Sequence, residues 1–199
     1  MLILALKAAS DRGRLSTEQI ADHLAALRGL PSVLNIALEQ SHLIKAAAQR
    51  LSEARDVLFL GRGILCPIAM EGALKLKEIS YIHAEGYAAG ELKHGQLALI
   101  DKNMPVVFIT PSGALFDKNI SNMQEVMARK GKVLMISDEA GIASGGSDVW
   151  ISISMPKTHA SLTPILYALP MQLLAYHTVT AKGTDVDQPR YLAKSVTVE

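Results

Sequence analysis

The first third of the chain places apolar residues at the spacing of amphipathic helices. Residues 1–12, rich in Leu and Ala, predict a short helix. Ser16 and Thr17, followed by Glu18 and Gln19, indicate the start of a second helix. We expect this second helix to end near Gly29. A third helix, with Pro31 in its first turn, should run to about residue 55.

Beyond residue 55 the pattern changes to short apolar runs that end at glycine or polar residues. Such runs are typical of strands buried in a parallel sheet. The predicted strands cover residues 56–61, 105–110, 132–137 and 148–153. The predicted helices between and after them cover residues 67–82, 114–129 and 163–182, the last with a kink at Pro170. We therefore predict an α/β fold of three layers, αβα, preceded by helices and ended by an irregular tail.

Composition narrows the classes of partner. The 20 Lys and Arg residues balance 19 Asp and Glu, a net charge of +1, which argues against nucleic acid and anionic membranes. No apolar run reaches the ~20 residues of a membrane span. The single cysteine, Cys66, excludes an internal disulfide and a Cys-based zinc site, and it favours a reducing cytoplasm.

One helix carries a row of charges. Glu71, Lys75 and Glu78 are spaced i, i+4 and i+7, so they share one stripe of the helix after the first strand. The stripe is either a solvated face with an ion pair of ~0.3–0.5 kcal/mol or a general base tuned by a neighbouring ammonium. The pattern alone favours the solvated face.

The connection 83–95 holds three glycines, two histidines and two glutamates between a helix and a strand. A long polar connection of this kind indicates a functional loop or a partner contact. His94 is a candidate acid or base, because imidazole titrates near neutral pH. Glu91 lies three residues before it, but no second set of ligands supports a metal site, so none is predicted.

The turn 61–63, Gly-Arg-Gly, is either an anion-binding turn or a tight turn that needs glycine, and the second interpretation is favoured. Cys66 replaces the third glycine of a dinucleotide fingerprint, and no Walker loop is present, so we predict no cofactor.

Lys194, in the tail, is either a solvated lysine or, under a docked tail, an amine with a lowered pKa that can form a Schiff base. The remaining histidines lack a supporting constellation, and we interpret them as surface or satisfied structural residues: His23, His42, His159 and His177.

Longer motifs carry a resemblance to a known family. Residues 71–85 and 90–95, with 182–190 and 192–199, resemble the carboxyl end of the glucosamine-6-phosphate synthases, the isomerising glutamine–fructose-6-phosphate aminotransferases. The resemblance runs from about residue 56 to the end of the chain. It implies a C-terminal sugar-isomerase (SIS) domain of αβα type over 56–183 and an active-site tail over 184–199. Residues 1–55 would be a helical segment from the end of a preceding SIS domain or a linker.

The resemblance also implies an activity. The family makes glucosamine 6-phosphate from fructose 6-phosphate and ammonia released from glutamine. Lys194 would form a Schiff base with the open-chain ketose, and Glu78 would move a proton between C1 and C2. His94 would assist opening of the sugar ring, from a position offered to the neighbouring subunit of a homodimer.

Three further roles follow from the same resemblance. Lys75 would lie beside Glu78 and support proton transfer, Ala193 would contact the sugar through its backbone, and Glu71 is a weaker substrate-binding candidate. The sequence departs from the family pattern at three positions outside these predicted sites: Gly86, Gln96 and Tyr191.

The cysteine nucleophile of the glutaminase domain and the phosphate-binding loops of the first SIS domain are not found in these 199 residues. We therefore expect this chain to fold and self-associate without running the full reaction alone. Three alternatives remain open at this point: a non-catalytic sugar-phosphate-binding SIS module, a stand-alone aldose–ketose isomerase and a dimerisation fragment.

Overall fold

The computed structural model describes residues 1–145 and 148–189, which alternate between helices and strands. The elements are, in chain order, α1 Leu2–Asp11, α2 Thr17–Glu39, α3 Ser41–Leu51, β1 Asp56–Gly61, α4 Cys66–Ser80, β2 His83–Ala88, β3 Pro105–Ile109, α5 Phe116–Met127, β4 Lys132–Asp138, α6 Glu139–Ser144, β5 Ile151–Met155 and α7 Thr163–Lys182. Short 3₁₀ helices cover Gly63–Leu65, Ala89–His94, Gln96–Leu99 and Ala160–Leu162.

The described strands form one five-stranded sheet in the order β2-β1-β3-β4-β5. Every neighbouring pair in it is parallel. Side chains alternate between its two faces: Val57 and Phe59 of β1 enter a core shared with α3, α4 and α7. Leu58 and Leu60 enter a second core shared with α5. Helices on both faces of a parallel sheet confirm the predicted αβα fold.

Local signals in the sequence located several boundaries correctly. β1 and α7 have the predicted limits. The predicted start of α2 is also confirmed. Ser16 is its N-cap: Ser16 Oγ accepts a hydrogen bond from the Gln19 N–H, and the Gln19 side chain accepts one from the Ser16 N–H. This reciprocal capping box satisfies donors that a helix start otherwise leaves unpaired.

The predicted helix break at Gly29 and Pro31 is wrong. α2 continues through both residues, and the break before α3 falls at Gln40. Pro31 lies on the exposed side of α2, whereas Ala37 is fully buried. Packing of this half of the helix on the core outweighs the local preference of glycine and proline.

The helices before the sheet share its core. Ile44, Ala47 and Leu51 of α3 are buried with residues of α4 and α7. His177 Nε2 of α7 lies 3.1 Å from Ser41 Oγ of α3. The division of the chain into 1–55, 56–183 and 184–199 remains a prediction.

The four histidines interpreted as surface or satisfied structural residues all have hydrogen-bond partners in the structure. His23 and His159 both contact Ser161 Oγ, at 3.2 and 2.8 Å, where α2 meets the start of α7. His42 lies 2.9 Å from the Glu39 carbonyl oxygen.

Across the described ranges, no helix combines the length and the apolar character needed to cross a membrane.

The interpretation of 83–95 as a connection without strand structure is wrong. Residues His83–Ala88 form β2, which pairs with β1 along its whole length, from Asp56 opposite His83 to Gly61 opposite Ala88. β2 lies at the edge of the sheet, so its polar and half-exposed residues do not show the apolar run of a buried strand. The fourth predicted strand is shifted to Ile151–Met155, and α6 was not predicted.

Candidate active site

The turn between β1 and α4 depends on glycine. A Cβ atom at Gly61 would lie 2.3 Å from the Leu65 carbonyl oxygen, and Gly63 has a φ of 58°, a region that suits glycine. The favoured interpretation of this segment as a tight turn is therefore supported. The turn directs the chain from the carboxyl end of β1 into α4.

α4 is held closely on two sides. A Cβ at Gly72 would lie 2.8 Å from the Met171 sulfur of α7, and one at Gly86 of β2 would lie 2.4 Å from the Met70 Cα of α4. Leu76 is fully buried on the same helix. Glycines at these two contacts allow α7 and β2 to approach the α4 backbone, which fixes the direction of the helix.

The predicted charged row lies on the remaining, half-exposed side of α4. Lys75 Nζ is 2.9 Å from Glu78 Oε2 and 3.8 Å from Glu71 Oε1. The Glu78 side chain is 26% exposed, and those of Glu71 and Lys75 are 41% and 40% exposed. The structure thus brings together all three residues that the helical spacing placed on one stripe.

The Lys75 ammonium is favoured in its charged form. The hydrogen bond to Glu78 raises the pKa of Lys75 above its usual 10.5, against a smaller opposing effect of burial, and the charges of Glu78 and Glu71 add to the increase. At neutral pH the row therefore offers a cation between two carboxylates. Such a group can deliver or receive a proton through a carboxylate while the ammonium balances the charge.

His94 is presented differently. It ends the 3₁₀ helix Ala89–His94, its side chain is 74% exposed, and its Nε2 lies 3.7 Å from Glu91 Oε2. Within the described ranges, no hydrogen bond or ion pair joins His94 to the row on α4. In the same part of the chain, no three His, Cys, Asp or Glu residues are grouped as metal ligands.

The chain leaving α7 passes close to the row. α7 ends at Gly183, which has a φ of 69°, and Thr184 Oγ1 donates a 3.4 Å hydrogen bond to the carbonyl oxygen of Ile79. Ile79 follows Glu78 directly. The predicted site residues Lys194 and Ala193 lie outside the described residues. Sequence reasoning did not find Thr184 as a contact, because the two residues are 105 positions apart.

The cavities lie apart from most of these groups. One cavity, of about 740 Å³, opens at the amino ends of the strands and is lined in part by His83, Lys132 and Trp150. Parallel sheets usually bind ligands at the opposite, carboxyl edge. A groove of about 530 Å³ along α4 includes Glu71. The chemistry of the row, rather than a cavity, marks the candidate site.

Comparisons with known proteins agree on one family. Residues 50–182 match the SIS domain family. A glutamine–fructose-6-phosphate aminotransferase (isomerizing) of Zymomonas mobilis is 56% identical over 196 residues, which are 98% of this chain and 32% of that protein. One from Sphingobium yanoikuyae is 63% identical over 156 residues, 78% of this chain and 100% of that sequence.

A solved structure is similar along almost the whole chain. The C-terminal domain of glucosamine-fructose-6-phosphate aminotransferase from Francisella tularensis has a TM-score of 0.91 and 44% identity, over 94% of this chain and 52% of that one. In relatives such as the Zymomonas protein, the chain spans about a third of the full length (32%).

Proposed function

Because this chain belongs to the SIS domain family and, within it, to the isomerising glutamine–fructose-6-phosphate aminotransferases, we propose that it supplies the isomerase site of such an enzyme. The reaction is the synthesis of glucosamine 6-phosphate from fructose 6-phosphate and ammonia released from glutamine. The observation that carries the proposal is the pairing of Lys75 with Glu78 on α4, at 2.9 Å.

The chemistry proceeds through an imine. The Lys194 amine adds to the C2 carbonyl of the open-chain ketose and water leaves, which gives a protonated imine; ammonia then displaces the lysine at C2. The Glu78 carboxylate takes a proton from C1, and the electrons of that C–H bond move toward the imine nitrogen. Return of that proton to C2, with transfer of the O1 hydroxyl proton to the nitrogen, leaves an aldehyde at C1 and an ammonium group at C2.

The surroundings of Glu78 support this role. Its carboxylate is the least exposed of the row, and the Lys75 ammonium beside it can balance charge while the proton is held. Glu71 lies on the groove side of α4 and is proposed to contact the substrate. Ala193 is proposed to contact the sugar through its backbone.

The course of the chain after α7 supports the role of Lys194. Thr184 hydrogen-bonds to the residue that follows Glu78. Lys194 follows Thr184 by ten positions, and an extended segment of that length reaches up to ~33–36 Å. A tail that starts beside α4 can therefore return its amine to the same helix.

His94 is proposed to assist ring opening in the site of a second copy of the chain, in a homodimer. Its imidazole is exposed, which suits a group that is offered outward. We also propose that the protein works in the cytoplasm, where Cys66 stays reduced, that it needs no cofactor and that it binds neither nucleic acid nor membrane.

A chimaera tests the proposal. This chain would replace the matching 196 residues of the Zymomonas mobilis relative, and conversion of fructose 6-phosphate with glutamine would be measured. We expect turnover, an adduct on Lys194 that borohydride traps, and a loss of ~10²–10⁴-fold in turnover for Glu78→Gln with trapping retained. Glu39→Gln, on the exposed part of α2, is the matched control and should change nothing.

Two results would count against the proposal. A chimaera that binds fructose 6-phosphate without converting it would favour a non-catalytic binding module. Full turnover in Lys194→Ala would favour an aldose–ketose isomerase without an imine.

A further inference from the structure

The segment that carries His94 is attached to α5 by apolar contacts. Ala89 and Leu92, on the 3₁₀ helix Ala89–His94, are fully buried in the core that includes Met123 and Val126 of α5. His94 follows Leu92 by two positions and points to solvent. The backbone before the imidazole is therefore anchored while the imidazole itself is free to reach outward.

An ion pair adds a second attachment next to the histidine. Lys93 Nζ lies 3.0 Å from Glu125 Oε1 of α5, and the Glu125 side chain is only 23% exposed. Its other oxygen, Oε2, is buried and has no hydrogen-bond partner among the described residues. A half-buried carboxylate is costly unless it is paired, so Lys93 is held to this position by the charge that it neutralises.

A third contact lies one turn earlier on α5. Arg62, in the turn after β1, donates a 2.8 Å hydrogen bond from Nη2 to Asn122 Oδ1. The Arg62 guanidinium packs against the segment at Gly90, where an added Cβ would lie 3.2 Å from Arg62 Nη1. Asn122 and Glu125 are spaced i, i+3 on α5, so the hydrogen bond to Arg62 and the ion pair to Lys93 arise from one face of that helix.

We propose that Glu125 is a positioning residue for His94, acting through Lys93, and that Arg62 and Asn122 support the same segment; this inference rests on the proposed function. An acid–base group works only when its proton lies within hydrogen-bond reach of the reacting atom. Because Lys93 directly precedes His94, its tether to α5 limits the directions open to the imidazole. The pair of His94 with Glu91 cannot do this, since both side chains are largely exposed and such pairs are weak.

The first test compares two substrates in the chimaera described above. Fructose 6-phosphate must open its ring, whereas a ketose phosphate that lacks the 5-hydroxyl cannot close one. We expect Glu125→Gln to lower kcat for fructose 6-phosphate about tenfold, below the ~10²-fold cost of a 1 Å displacement, with KM nearly unchanged. Turnover of the open-chain substrate should be unaffected, because it needs no ring opening. A general structural defect would slow both substrates.

Rescue and coupling provide the second test. Exchanging the charges, with Lys93→Glu and Glu125→Lys together, should restore most of the lost kcat because the ion pair is rebuilt. Glu125→Gln should cost nothing further in a His94→Asn background, since coupled residues are not additive. Lys7→Met, which breaks an exposed ion pair on α1, is the control and should leave kcat unchanged.

Opposite results overturn the inference in identifiable ways. Equal slowing of both substrates by Glu125→Gln, or no rescue by the exchanged pair, removes Glu125 as a positioning residue while the proposed function stands. If the unmodified chimaera does not convert fructose 6-phosphate, the proposed function fails. Amide hydrogen exchange over residues 90–96 of this chain then decides: unchanged exchange in Glu125→Gln shows that the ion pair does not hold the segment.

Discussion

The two parts of the proposed site are held in place by different means. Glu78 lies on a 15-residue helix against which the Met171 side chain of α7 and the backbone of β2 pack closely, at Gly72 and Gly86. His94 stands on a short 3₁₀ segment that buried side chains and polar contacts attach to α5. Damage around Glu78 should therefore lower the stability of the whole domain. Damage around His94 should loosen one segment and leave the rest intact.

The largest expected effect is loss of packing under the row. Leu76 is fully buried on α4, so Leu76→Ala removes apolar contacts and leaves a cavity. We expect the free energy of unfolding to fall by ~2–5 kcal/mol, measured by urea denaturation. Leu74→Ala, on the same helix but 40% exposed, is the control and should cost less than half as much. Equal losses would show that α4 is not the tightly packed part.

The contact between α4 and β2 gives the next effect. At Gly86 of β2, an added Cβ would meet the Met70 backbone of α4 at 2.4 Å. Gly86→Ala must therefore shift one backbone, and we expect a loss of ~1–3 kcal/mol in the free energy of unfolding.

Gly29→Ala is the matched control for that substitution. Gly29 lies within α2, and a Cβ there has open space within 4 Å. It should raise the free energy of unfolding by up to ~1 kcal/mol. Unchanged stability in Gly86→Ala would mean that β2 yields easily and does not pack tightly against α4.

A smaller effect depends on pH, at the contact of α3 with α7. Burial, with a contribution from the nearby Lys45 charge, lowers the pKa of His177 below its usual 6.5. The unfolded chain therefore binds a proton at His177 more readily than the folded chain does. The contribution of neutral His177 to the free energy of unfolding is complete above pH 6.5 and is lost as the pH falls below 6.5. Thermal denaturation between pH 5 and pH 7.5 should show a flatter profile for His177→Gln. An identical profile would assign the acid sensitivity to another group.

The smallest effect belongs to the row itself. Lys75 has a raised pKa, so its contribution to stability is complete below its unfolded pKa of 10.5 and is lost as the pH rises through the folded value. Because the side chain is 40% exposed, the pair should contribute only ~0.3–0.5 kcal/mol, and less in high salt. An NMR titration should show the Lys75 pKa falling toward 10.5 in Glu78→Gln. No change would indicate that Glu78 does not bind the ammonium in solution.

Periodic features of the sequence could be predicted because local physics determines them. A row at i, i+4 and i+7 must share a helix stripe, and Glu71, Lys75 and Glu78 do so. The apolar run 56–61, bounded by charge and glycine, became β1 with the predicted limits. The chemical role of the row is a separate matter, since an ion pair and a general base share the same spacing.

Features that depend on distant contacts escaped prediction. The sequence did not predict β2, because an edge strand buries few of its side chains. Its Gly86 is required by the close approach of α4 and not by a turn. The contact of Arg62 with Asn122 joins residues 60 positions apart, and no sequence period marks it. Likewise, α2 ends before Gln40, where packing determines its length, and not at the helix-breaking residues Gly29 and Pro31.

The edge position of β2 has a consequence for aggregation. Within the described ranges, β2 pairs with β1 alone, so one row of its backbone groups has no strand partner in the sheet. Open edges of this kind invite pairing with another chain, and charged side chains discourage it. His83, which lies 3.0 Å from Asp56 and 3.4 Å from Glu85, places a polar group at the start of that edge. The polar residues of β2, which make the strand hard to recognise in the sequence, should therefore also disfavour edge-to-edge pairing with another chain.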